Sequence, residues 1–260
     1  MSSGLSGPRR PCARVSTPSG PRYAHLKDEE LLLLDAAPWL AGRRTGESVA
    51  LNMTRLLPPS EATKVVAVAQ NYKQHAAEMG KPIPSEPLIF IKPSTALNGH
   101  ARPIVLPVDS SEVHYEAEVA VVIGKKLYRA TADEAAAAIF GVTCFNDVTA
   151  RDIQRREGQH TRAKSYDTFA CIGPWVVPGL DVGNLRVQCR VNRLARQDGR
   201  TSDMIFPVPG LLAFISKVMT LLPGDVVTTG TPAGVGPLNE GDVVEVEVEG
   251  VGVLRNPVKR

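Results

Sequence analysis

The chain has 260 residues, 43% hydrophobic and 22% charged, the make-up of a globular protein with room for one large catalytic unit. A formal charge of +3, with no basic run in the body of the chain, argues against a nucleic-acid partner. No apolar stretch approaches the roughly 20 residues of a membrane helix, so no membrane association is expected.

Along the chain, Arg9, Arg10, Arg14 and Arg22 stand among serines and prolines, with no acidic residue before Asp28. Transit peptides share that composition, but Pro8, Pro11, Pro18 and Pro21 would break the amphipathic helix such a peptide forms. The expectation is a disordered tail over residues 1–25 and a cytoplasmic protein. Cys12, Cys144, Cys171 and Cys189 are scattered without a C-x-x-C pair, which suits a reducing compartment and neither a disulfide framework nor a zinc site. Residues 26–60 read as a short N-terminal subdomain closed by the linker Leu57-Pro58-Pro59-Ser60, and residues 61–260 as the catalytic domain.

Residues 65–68 have the texture of a buried strand, 71–79 of a short helix capped by Gly80, and 88–91 of an apolar strand ended by Lys92-Pro93. Residues 113–123 form the strongest strand in the sequence. An alanine-rich helix over 132–140 follows, with Thr131 or Asp133 as its cap, then a strand at 142–145 and a charged helix at 149–157. Further strands are expected at 175–177, 185–191, 225–229 and 242–248, interrupted by a helix at 209–219. Strands outnumber helices and no βαβ rhythm persists, so the fold class is α+β and β-rich.

Side chains alternate across a strand, placing His114, Glu116, Glu118 and Ala120 on one face and Val113, Ala117, Val119 and Val121 on the other. Two neighbouring carboxylates repel each other, and in so apolar a strand a bound cation would relieve them. An arbitrary E-x-E pair is more often a solvated face. Asp147, where a strand runs into a helix, adds a third carboxylate, or else an N-cap. Three carboxylates without a cysteine select a hard cation, Mg²⁺ or Mn²⁺.

Seven blocks in order resemble the fumarylacetoacetate hydrolase superfamily across residues 64–257. They are Asn71-Tyr72 with His75 and Glu78, the Phe90 to Ser94 block, Tyr115-Glu116-Ala117-Glu118, the Asn146 to Asp152 block, the Ala163 to Phe169 block, the Thr201 to Phe206 block, and the Thr229 to Gly236 loop. The resemblance implies a mixed β-roll or sandwich with peripheral helices. It implies that Glu116, Glu118 and Asp147 hold the metal, and that His75 and Glu78 form a catalytic dyad on a lid. Lys164 would offset charge at the metal, and Arg151, Gln154 and Thr231 would hold the substrate. Positions three apart on a helix are neighbours, so Glu78 can orient His75. The closest likeness is to short members acting as acylpyruvate hydrolases, oxaloacetate decarboxylases or isomerases of aromatic degradation, with a 2-oxo acid substrate and a homodimeric state. The alternative of another class is a non-catalytic metal- or keto-acid-binding protein. Departures from the family pattern include Ala69-Gln70 and Gln159-His160-Thr161. Gln70 and His160 fall where a change would alter the substrate pocket.

Overall fold

A computed structural model describes residues 10–78, 80 and 82–260. Branched apolar residues set its frame. The strands Ala117–Ile123 and Ile139–Asp147 pair antiparallel, with Ala117 opposite Asn146 and Val121 opposite Val142. Val226–Thr228 and then Val65–Ala69 continue the sheet on one side, and Ala170–Pro178 extends it on the other. Both faces of this sheet are covered, which is why the Ala117–Ile123 strand is buried throughout. Val119, Val121 and Cys144 share a core with Val187, Val244 and Val246 of a five-stranded, mostly antiparallel sheet containing Arg186–Val191 and Val243–Val248. Ala120, Val122, Phe145 and Ile172 face a second core on the opposite side.

Five α-helices among the described residues lie outside the sheets: α1 (Lys73–Glu78), α2 (Ala132–Ala137), α3 (Arg151–Glu157), α4 (His160–Lys164) and α5 (Val208–Val218). The architecture is α+β and β-rich with peripheral helices. Thr131 caps α2, accepting from the Glu134 N–H while Glu134 reaches back to the Thr131 N–H. None of the described helices is long and apolar enough to cross a membrane.

Two expectations are corrected. The tail expected to be disordered through residue 25 forms the strands Cys12–Thr17 and Gly20–Lys27; residues 1–9 lie outside the described residues. Ala13, Val15 and Ala24 are fully buried against Leu31 and Leu33 of the Glu30–Leu34 strand, and Pro18 falls in the connecting turn, where it breaks no pairing. The N-terminal strands join the main sheet where Cys12 pairs with Val176. The strand expected over 113–123 is two strands, Val113–Tyr115 and Ala117–Ile123, in different sheets. The break falls at Glu116, whose N–H donates to Asn146 Oδ1 (2.9 Å), while the Ala117 N–H donates to Gln197 Oε1 (2.9 Å).

Candidate active site

Four strand ends converge at one edge of the main sheet. Ala117–Ile123 begins there, and Ile139–Asp147, Val226–Thr228 and Val65–Ala69 end there, as their pairing directions require. Glu116, Glu118 and Asp147 are brought together at this edge, with ligand oxygens within 4.8 Å of one another, and all three are buried. Asp147 is not a helix cap: α3 has Ala150 at its N-cap and no side-chain cap bond. His114, expected on the same face, turns away to pair with Glu112 at 2.9 Å.

The two glutamates differ in their partners. Glu116 accepts from Arg151 Nη2 (2.5 Å) and Lys164 Nζ (2.9 Å). Burial alone would raise its carboxyl, but Lys164 and Arg151 hold it below the usual range. Glu118 has no ion pair among the described residues; its Oε2 accepts from the Thr228 hydroxyl and the Gly230 N–H. Burial, with Asp147 and Glu116 adding like charge, raises its carboxyl well above the usual range. A buried carboxyl without a direct cationic partner among the described residues, beside two other oxygen donors, fits a divalent cation. Gly230 is needed in this cradle: its φ is +90°, and a Cβ would lie 2.8 Å from Asn71 Cβ.

Lys164 is buried and spans the cluster, donating to Asp147 Oδ2 (2.5 Å), Glu116 Oε2 (2.9 Å) and Thr149 Oγ1 (2.8 Å). Burial opposes its charge, yet Asp147 and Glu116 push its ammonium above the ordinary value. Sequence reasoning gave Lys92 no role. It is 0% exposed and pairs with Asp147 Oδ1, burial holding its pKa below normal against the pull of that carboxylate. The signal was present: a lysine closing the apolar run Leu88–Lys92 needs an anionic partner inside. The acids therefore face three cations, Lys92, Lys164 and Arg151, where the sequence reading counted Lys164 alone against the metal. Thr149, Thr228 and Gln197 also escaped it, because their contacts with the site arise only on folding.

His75, on α1, lines the same cleft and is buried. A carboxylate cannot donate, so His75 Nδ1–H donates to Glu78 Oε2 (3.0 Å), which in a neutral ring assigns the lone pair to Nε2. Glu78 Oε1 accepts in turn from the Gly234 N–H (3.0 Å), fastening α1 over the cleft. Arg151 Nη1 donates to Gln154 Oε1 (2.5 Å), and both residues line the cleft. Thr231 lines it too; its hydroxyl donates to the Ala117 carbonyl (2.8 Å) and accepts from Gln197 Nε2 (2.8 Å). The cleft holds about 430 Å³, part of it open to solvent, and Phe90 and His160, rings 4.8 Å apart, form one wall.

Residues 64–259 match the family model described as fumarylacetoacetate (FAA) hydrolase C-terminal, and residues 12–59 match one described as Rv2993c-like, N-terminal. An uncharacterized protein of Archaeoglobus fulgidus is 50% identical over 88% of each chain. The human mitochondrial oxaloacetate tautomerase FAHD2A is 43% identical over 79% of this chain and 69% of its own. A crystal structure of 5-carboxymethyl-2-hydroxymuconate delta-isomerase from Mycobacterium smegmatis is similar at TM-score 0.91 and 43% identity, covering 96% of this chain and 99% of that one.

Proposed function

The chain belongs to the fumarylacetoacetate hydrolase family, and we propose that it interconverts the keto and enol forms of a short 2-oxo dicarboxylic acid. The observation that carries this reading is His75, held by Glu78, lining one cleft with a buried carboxylate cluster and its cations. Isomerisation asks for one proton carrier and a way to hold charge on the 2-oxo oxygen. Glu116, Glu118 and Asp147 would hold Mg²⁺ or Mn²⁺, and when bound the cation supplies Lewis-acid polarisation of the 2-oxo group.

His75 Nε2 removes a proton from C3 of the keto acid, and the electron pair moves onto the 2-oxo oxygen. Lys164 meets that developing negative charge. His75 then returns the proton to the oxygen, so the enol forms without any co-reactant. Arg151 and Gln154 orient the substrate's carboxylate, and Glu78 keeps the His75 ring and tautomer fixed. With three carboxylates against Lys92, Lys164 and Arg151, a dication leaves about two positive charges, a match for a dianionic substrate.

A second reading is acylpyruvate hydrolysis or oxaloacetate decarboxylation. It is favoured by the same histidine, whose free Nε2 can take a proton from water as readily as from carbon.

The test starts from chelator-treated protein, with decay of the enol absorbance of oxaloacetate followed after addition of Mg²⁺ or Mn²⁺, and pyruvate release from oxaloacetate and an acylpyruvate measured in parallel. His75→Ala should lower turnover by about 100-fold or more while keeping cation binding, and Glu116→Ala should lose both. Pyruvate release at a rate matching the enol decay moves the enzyme to the second reading. Wild-type protein that accelerates none of these reactions in excess Mg²⁺ ends both.

A further inference from the structure

The turn between the Val65–Ala69 strand and α1 holds Gln70 in the left-handed region, at φ 55°. A residue with a Cβ is strained there, whereas glycine adopts the same angle freely. Of the eight described non-glycine residues with positive φ, Gln70 alone lines the acidic cleft.

The turn does not need the Gln70 side chain. Its neighbour Asn71 holds the backbone, accepting from the Phe206 N–H (2.8 Å) and donating to the carbonyls of Thr229 (2.8 Å) and Phe206 (3.1 Å). The half-buried Gln70 carboxamide makes no hydrogen bond with any described residue. Strain kept at a cleft wall by a side chain that supports nothing in the fold is the mark of a functional constraint.

We propose that Gln70 is a specificity-determining residue whose carboxamide hydrogen-bonds an oxygen-bearing group at the end of the substrate remote from the 2-oxo acid. The proposal rests on the reading of the cleft as a 2-oxo acid site. The cations of the cleft are gathered at the carboxylate cluster, where the 2-oxo acid end would bind: Lys92 pairs with Asp147, Lys164 with Glu116 and Asp147, and Arg151 with Glu116. The far end of the substrate is therefore left to neutral groups. Of the apolar lining, Val68, Ala69 and Phe90 offer no side-chain hydrogen bond, and His160 stands against Phe90 on the same wall. A carboxamide both donates and accepts, so it takes a carboxylate, ketone or hydroxyl. A methyl group there leaves it unpaired, and sites built to hydrogen-bond reject such analogues.

The test compares the full-length wild type with Gln70→Gly and Gln70→Leu in Mg²⁺. Oxaloacetate carries a far carboxylate and 2-oxobutanoate a far methyl, and C3 hydrogen–deuterium exchange reads enolisation of both. Gln70→Gly should raise KM for oxaloacetate about 10-fold, lower kcat much less, and leave KM for 2-oxobutanoate unchanged. Its melting temperature should equal or exceed that of the wild type, because the backbone strain is gone. Gln70→Leu should show the same KM rise and improve 2-oxobutanoate. An unchanged ratio of the two KM values in Gln70→Gly, with a lowered melting temperature, makes Gln70 a turn residue and overturns the assignment alone. Failure of the wild type to enolise either acid overturns the underlying reading, and this proposal with it.

Discussion

Glu116 and Glu118 are two residues apart, yet their surroundings push their carboxyls in opposite directions. The difference lies in where the cations are: Arg151 and Lys164 touch Glu116, and none touches Glu118. The folded-state pKa of Glu118 is raised, so its contribution to stability is full below the unfolded value, about 4.3. That contribution is lost as pH rises through the raised folded value. Cation-free protein should thus acquire an unfavourable charge as pH rises, which a dication relieves, whereas towards acid a proton competes for the same oxygen. The rise in melting temperature on adding Mg²⁺ should accordingly be larger at about pH 8 than at about pH 5.5. Glu118→Gln should melt higher than wild type in chelator at the upper pH and respond little to Mg²⁺. Equal Mg²⁺ shifts at the two pH values would contradict the raised carboxyl.

The strand that supplies both glutamates shows what could be read in the sequence and what could not. Alternation assigned Ala117, Val119 and Val121 to the core, and they are in it. The same alternation ran straight through Glu116, because hydrophobic pattern carries no mark of a strand that changes sheets. The break is stabilised by partners 30 and 80 residues away, the side-chain amides of Asn146 and Gln197, and no local rule pairs residues so distant. Lys92 and Asp147 lie 55 residues apart and were missed as a pair for the same reason. The residues that gather at the cleft, from His75 to Thr231, were legible because the blocks that hold them keep their polar residues close in sequence. The N-terminal strands were hidden by their own composition: arginine and proline obscured the alternation of Ala13 and Val15, which is only two residues deep on the buried face. Gln197 gives a direct test of the sheet switch. Gln197→Leu leaves the Ala117 N–H without its acceptor and removes the donor to the Thr231 hydroxyl and the Pro232 carbonyl. Urea unfolding should show a loss of about 1–3 kcal/mol. A loss near zero would mean that the switch is held elsewhere.

The N-terminal strands extend the main sheet, so the molecule should not come apart in pieces. Cys12 pairs with Val176, and Leu56–Leu57 pairs with the same Cys12–Thr17 strand, so chain from both ends of this region meets at one seam. Trp39 packs across the seam, with its ring 5.3 Å from Tyr23 on the N-terminal side and 5.4 Å from Phe140 on the catalytic side. The other tryptophan, Trp175, donates to the Val251 carbonyl at 2.7 Å and packs against both Val15's core and the main one. The two tryptophans of the chain therefore both report on the junction. If the seam is part of one cooperative unit, tryptophan fluorescence and far-ultraviolet circular dichroism should trace a single coincident urea transition. Trp39→Ala should move that transition down by about 2–3 kcal/mol, less than for a fully buried tryptophan because the residue is only half-buried, without splitting it. A fluorescence transition that precedes the dichroism transition in the wild type would make the N-terminal region a separately unfolding appendage. The sheet edge that carries Glu116, Glu118 and Asp147 would then stand without any support from it.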